Sequence, residues 1–198
     1  MAKVKTNEQY VKELFWVRYH IDLLKIEEGT RKTPDFEYVE NGKRVFVCEV
    51  KNVNHNWPSE KSGWKSTGQI DGTTFWERAD NAPNRIAKKI DEAYDQLDRY
   101  TEPKILILIN EDGSVDINDL NEAYDGHLIY ANESHACKNT VSRRIAEGRI
   151  KHKKNKIDLY IWIDKGDNDD AKFRFTSHLG KKIAEDYFKK RDLSARVK

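Results

Sequence analysis

Thr33–Lys51, TPDFEYVENGKRVFVCEVK, is the stretch from which the rest of the chain can be read. Two short runs, Phe36–Glu40 and Arg44–Lys51, flank the dipeptide Asn41-Gly42. Asn-Gly between such runs signals a tight β-hairpin, because both turn positions need positive φ and these two residues tolerate it. Side chains alternate faces along a strand. Phe46, Cys48 and Val50 therefore share one face of the second run, and Val47, Glu49 and Lys51 the other. Asp35, directly after Pro34, opens the first run. A tight hairpin brings these strand ends together, so Asp35, Glu49 and Lys51 are expected to converge.

Two carboxylates and one amine at a single point suit phosphodiester chemistry. Mg²⁺ takes oxygen ligands and keeps several waters, so one or two carboxylates plus a substrate phosphate complete its shell. A lysine beside the ion can orient or help deprotonate water and offset charge on the phosphate. Pro34-Asp35, followed fourteen positions later by Glu49-Val50-Lys51, resembles the PD-(D/E)xK nuclease superfamily. The resemblance implies an α/β, restriction-endonuclease-like core: an αβββαβ mixed sheet flanked by helices. It also implies Asp35 and Glu49 as metal ligands, the Val50 carbonyl as an extra ligand and Lys51 as the catalytic amine. Mg²⁺ is the implied cofactor, with Mn²⁺ able to replace it. The plain alternative is a surface hairpin in a chain that is 35% charged, where E-x-K arises by chance.

Two helices are expected around this hairpin. Asn7–Glu27 places Tyr10, Leu14, Val17, Ile21 and Leu24 at three-four spacing, with Thr6 as N-cap and Gly29 as terminator. In the resembled superfamily a glutamate of the first helix often stands beside the metal. Glu13 is the candidate here, Glu8 the second choice, and a solvated helix glutamate the alternative. The second helix runs from a cap at Asp80 or Asn81, with Pro83 in its first turn, through Ile86, Ile90, Ala93 and Leu97 to Tyr100, and Pro103 stops it. Arg85, Lys89 and Gln96 trace a polar stripe beside that seam. Gln96 and Tyr100 resemble the QxxxY motif of the RecB-like and λ-exonuclease-like branch, which implies that both adjoin the active site. The alternative has Gln96 exposed and Tyr100 in the core.

Residues 52–81 form a long polar loop without sustained periodicity. It carries Trp57, Trp64 and Trp76 among Lys61, Lys65 and Arg78. Loops of this length are usually functional, and indole faces interleaved with cations suit base stacking and phosphate contact. Their competing role is a satellite core. Lys104–Asn110, KILILIN, reads as a central strand buried on both faces. One strand of the implied core is thus still missing; Gly72–Trp76 or the 31–40 stretch could supply it.

Residues 111–198 read as an α+β elaboration of a core spanning about 7–110, all within one domain, 1–198. A short helix is expected at Ile117–Tyr124, a strand at His127–Ala131 and a helix at Val141–Glu147. Ile157–Asp164 and Lys172–Thr176 read as paired strands, and Leu179–Lys190 as a last helix with a seam of Leu179, Ile183, Tyr187 and Phe188. The net charge of +2 hides segregation: Glu111–His135 holds seven acidic residues and no Lys or Arg, and Lys138–Lys156 eight basic and one acidic. Arg143, Arg144, Arg149, Lys151, Lys153, Lys154 and Lys156 are the candidate DNA-backbone footprint; a solvated loop is the alternative.

Other chemistries lack their motifs. No GxxxxGK[ST], GxGxxG or GxSxG occurs. Six scattered histidines and two distant cysteines make neither a zinc pair nor a disulfide framework. With a mean hydropathy of −0.89 and no signal-peptide h-region in MAKVKTNEQY, the expected setting is the cytoplasm, without a membrane contact. The function expected is a Mg²⁺-dependent deoxyribonuclease acting on DNA, with a homodimer as one arrangement such cutters adopt. A non-catalytic DNA-binding module, a structure-specific (Holliday junction) resolvase and an RNA-directed nuclease are the alternatives.

Overall fold

Asn41 and Gly42 both adopt positive φ, 53° and 74°, as a two-residue type I′ turn requires. The flanking runs pair antiparallel, Phe36 opposite Cys48 and Tyr38 opposite Phe46. This hairpin belongs to a computed structural model that describes residues 6–30, 32–53, 64–70, 73–78, 82–111, 115–125, 127–132, 135–142, 150–165 and 171–192. In chain order the elements are α1 (Asn7–Tyr19), β1 (Leu24–Lys25), β2 (Phe36–Glu40), β3 (Lys43–Asn52), β4 (Trp64–Ile70), β5 (Thr73–Arg78) and α2 (Ala82–Leu97). There follow β6 (Lys104–Asn110), α3 (Ile117–Asp125), β7 (His127–Asn132), β8 (His135–Ser142), β9 (Leu159–Asp164), β10 (Ala171–Phe175) and α4 (His178–Ile183).

Six strands form one mixed sheet in the order β1-β2-β3-β6-β9-β10. β3, β6 and β9 run parallel at its centre, and β1, β2 and β10 add antiparallel at the sides. β6 is the expected central strand: Ile105, Ile107 and Ile109 pack to one face, Leu106 and Leu108 to the other. The first face is covered by α1 through Val11 and Phe15, and by α4 and the turn Ala184–Lys189 that continues it through Ile183 and Phe188. The second is covered by α2 and α3 through Ile86, Ile90, Leu97 and Leu120. Each such buried side chain contributes about 1.5–3 kcal/mol relative to exposure, so the two apolar layers fix the sheet's sandwich position. Among the described residues no helix is long and apolar enough to cross a membrane.

Several expectations are corrected here. α1 ends at Tyr19, where His20 turns left-handed at φ 54°, not at Glu27 before Gly29. Thr6 does cap it, in a reciprocal box with Gln9. Its buried seam is Val11, Phe15 and Tyr19, whereas Val17 is 67% exposed. Four-residue spacing exists in both registers, and the one with the larger rings wins: Phe15 meets Tyr19 and Phe188 edge-on at 5.7 and 5.3 Å. α2 stops at Leu97, so Tyr100 lies beyond the helix, its N–H bonded to the Leu97 carbonyl at 3.0 Å. The polar excursion is not structureless, since β4 and β5 pair with each other as a separate ribbon. Thr73–Trp76 therefore enters that ribbon and not the main sheet, and Gly72 lies outside the described residues. Val141 and Ser142, expected in a helix, end β8, which among the described residues pairs with β7 alone. Residues 143–149 lie outside the described residues. In α4, Leu179 is exposed while Ile183 and Phe188 are buried, and the helix widens into a π-turn over Ala184–Lys189. Gly180 has no alternative there, because a Cβ would stand 1.8 Å from the Asp158 carbonyl oxygen.

Candidate metal centre

The hairpin register that sets Phe36 against Cys48 puts Asp35 beside Glu49 on the neighbouring strand. The two acids are interlocked through backbone: Asp35 N–H donates to Glu49 Oε2 at 3.2 Å, and Val50 N–H donates to Asp35 Oδ2 at 2.8 Å. Glu49 and Lys51 share the strand face of Val47, the face covered by α2. Lys51 Nζ donates to Glu49 Oε1 at 2.5 Å and to Gln96 Oε1, from α2, at 2.8 Å. Gln96 Nε2 in turn donates to the Thr33 carbonyl at 3.0 Å. An ammonium on one side and a carbonyl on the other orient this amide unambiguously. Asp35, Glu49, Lys51 and Gln96 thus meet at the end of β3, at the carboxyl end of the parallel strands, where open α/β sheets place ligands.

Burial dominates the electrostatics. Glu49 is 1% exposed, and its carboxyl is pushed up to about 7, first by desolvation and then by the charge of Asp35, against the opposing pull of Lys51. Asp35 is also raised, by burial first, with the Val50 N–H opposing. In the metal-free protein the folded state therefore keeps a proton on Glu49 that the unfolded chain gives up. Stability is fullest below the ordinary value of 4.5 and is lost as pH rises to about 7. At 1.36 kcal/mol per pKa unit, this amounts to roughly 3 kcal/mol. Glu40, Glu102 and Asp164 are shifted down, and their contributions fade only as pH falls. The measurement is therefore a difference: denaturant melts in chelator from pH 4.5 to 7 should slope downward for the parent and much less for Glu49→Gln. Equal slopes would rule the assignment out.

The remaining candidates divide. Glu8, the second choice on α1, is the first-helix glutamate that reaches the centre: Lys25 Nζ lies 2.5 Å from Glu8 Oε2 and 3.6 Å from Asp35 Oδ1. Glu13, the first choice, is exposed on the same helix. Tyr100 packs against the core beside the arginines Arg44 and Arg99, whose guanidinium carbons stand 5.5 and 5.4 Å from its ring centre; it makes no pair with Gln96. Arg85 is half-buried on α2, and Lys89 stands 3.5 Å from Glu92. In the basic run Lys151 is exposed, but Lys153 is bound to Asp91 and Asp95 at 2.5 and 2.9 Å. Lys154 donates to the Tyr124 carbonyl. These two are neutralised or engaged within the fold, which weakens them as a phosphate footprint. Trp64 and Lys65 fall in β4, in the ribbon apart from the main sheet. Trp57, Lys61, Arg143, Arg144 and Arg149 lie outside the described residues.

Sequence reasoning missed Lys25, Lys32 and Arg99. A cleft of about 350 Å³ opens over Lys51 and Gln96, walled by Gly29, Thr30, Lys32 and Thr33. Thr33 also borders a second cleft, about 570 Å³, with Arg44, Arg99 and Tyr100. Arg99 donates to the Lys32 backbone carbonyl at 2.8 Å, so the residue that lines the first cleft is tied to one that lines the second. A surface lysine and arginine sixty-seven positions apart carry no local signal that would pair them.

The donor set fits a hard divalent ion. Among the described residues no group of three or more His, Cys, Asp or Glu is arranged to hold a metal, but Mg²⁺ is commonly held by one or two carboxylates, with waters and substrate phosphate completing its shell. Asp35 and Glu49 supply two carboxylates, and Glu49 is buried well enough that its proton is retained without stronger positive charge. No family model matches the chain, and neither a curated protein nor a solved structure matches it.

Proposed function

We propose that the protein is a metal-dependent deoxyribonuclease that hydrolyses DNA phosphodiester bonds. The observation that supports this most is the closed set Asp35–Glu49–Lys51–Gln96, in which one lysine is clamped between a buried carboxylate and a fixed amide. With the separate β4–β5 ribbon set aside, the order α1-β1-β2-β3-α2-β6 is compatible with the αβββαβ core that the PD-(D/E)xK resemblance calls for, β1 taking the place of its first strand. On this reading Asp35 and Glu49, with the Val50 carbonyl, hold Mg²⁺ or Mn²⁺. The bound ion supplies Lewis acidity toward a phosphoryl oxygen. Lys51 orients the attacking water and offsets charge that develops on the phosphate. Gln96 keeps the ammonium aimed into the cleft, so it is a positioning residue.

The strand path on this reading passes over Lys51, along Lys32 and Thr33, to Arg99 and Tyr100. Neither Lys32 nor Arg99 is ion-paired among the described residues, although Glu28 shares the first cleft with Lys32 and Glu27 and Glu102 share the second with Arg99, and on this reading both cations face phosphates. The tryptophan stretch 57–76 and the basic residues 143–151 are proposed as further DNA contacts.

The test is a cleavage panel of supercoiled, linear and single-stranded DNA and of RNA, each with Mg²⁺, Mn²⁺ or EDTA. DNA scission with either ion and none with EDTA is expected. Binding without scission would replace this reading by a non-catalytic DNA module; cutting confined to RNA or to four-way junctions would change the substrate.

A further inference from the structure

We propose that Lys25 occupies the place of a second cation, so that the centre takes one divalent ion per chain where its carboxylates could otherwise serve two. The inference rests on the metal reading above. Asp35 faces two ways: Oδ2 turns toward Val50 and the Glu49 side, and Oδ1 toward Lys25. Beyond Lys25 stands Glu8, 2.5 Å from the ammonium. The chain therefore presents two half-sites that share Asp35, one completed by Glu49 and the other by Glu8. In two-metal phosphodiesterases, two ions about 3.5–4 Å apart clamp the attacking and leaving oxygens. Here a tethered ammonium fills the Glu8 half.

Local structure holds it there. Lys25 lies opposite Phe36 in the β1–β2 ladder, Ile26 N–H donates to the Asp35 carbonyl at 3.1 Å, and the ammonium stands 5.4 Å from the Phe36 ring centre. Being covalently attached, the cation is always present at high effective concentration, while Mg²⁺ sheds its waters reluctantly. Lys51 differs in kind. One of its two partners is the neutral Gln96 amide, an anchor that remains if Glu49 turns to an ion. Both anionic partners of Lys25 would be left facing each other if it moved. Lys51 thus keeps a neutral anchor when it yields its carboxylate, whereas Lys25 is held by two carboxylates.

Mn²⁺ titration by calorimetry, with electron paramagnetic resonance of free Mn²⁺ as a second count, tests this without reading activity. Lys25→Met keeps the stem over Phe36 and removes only the charge, so folding should hold; Lys25→Arg restores a cation. The expected result is one ion per chain for the parent and for Lys25→Arg, and two for Lys25→Met. Two ions in the parent, or one in Lys25→Met, overturns the role of Lys25 alone. No ion in the parent overturns it together with the metal reading.

Discussion

Replacing Lys51 by methionine should slow DNA hydrolysis by about 10³-fold, a loss typical for removing one group that stabilises transition-state charge. The effect should appear in single-turnover cleavage at saturating DNA, because the ammonium is aimed at the cleft and not at distant parts of the substrate. Stability should change far less. The Lys51 side chain is 17% exposed, and its charge is what lowers the proton affinity of Glu49. Without it, Glu49 simply stays protonated at neutral pH, and no bare charge is buried. Thermal melting alongside the kinetics separates the two effects. A methionine variant that cuts at the parental rate would falsify the catalytic role.

Asp35→Asn should weaken Mn²⁺ binding at least about a hundredfold, since ligand losses exceed the 10–100-fold typical of outer-shell changes. The fold should survive, because the asparagine oxygen can still accept the Val50 N–H that Asp35 accepts at 2.8 Å. Calorimetry is the readout, done at a pH above 7 so that the Glu49 proton does not compete with the ion. An unchanged affinity would remove Asp35 from the ligand set.

How much of this was legible beforehand depended on how local the signal is. The Asn41-Gly42 turn settles the register of its own hairpin, and alternation then assigns Glu49 and Lys51 to one face, so the core of the site followed from nineteen consecutive residues. KILILIN is apolar at nearly every position, as a short strand buried on both faces requires. The α1 face was not decidable, because Tyr10-Leu14 and Val11-Phe15 offer the same spacing one residue apart and only contact with Phe188 selects between them. β1 is two residues long with both side chains exposed, too short for any periodicity, yet it carries Lys25 to Asp35. The link from Glu8 through Lys25 to Asp35 has no sequence signal, because helix position alone does not reveal which side faces so short a strand. Lys153 looked like a phosphate contact until Asp91 and Asp95, sixty positions away in the chain, took up its charge.

The tight turn at Asn41-Gly42 also has a kinetic meaning. Hairpins close in about 1–10 μs, far sooner than parallel pairings across long stretches of chain. β3 can meet β2 immediately but must wait for β6, which enters fifty-odd residues later. The two acids therefore come together while the chain is still largely open, and α2 with Gln96 docks onto a pair already assembled. Damage to this turn would delay the whole order of assembly, whereas damage to α2 would strike only its last step.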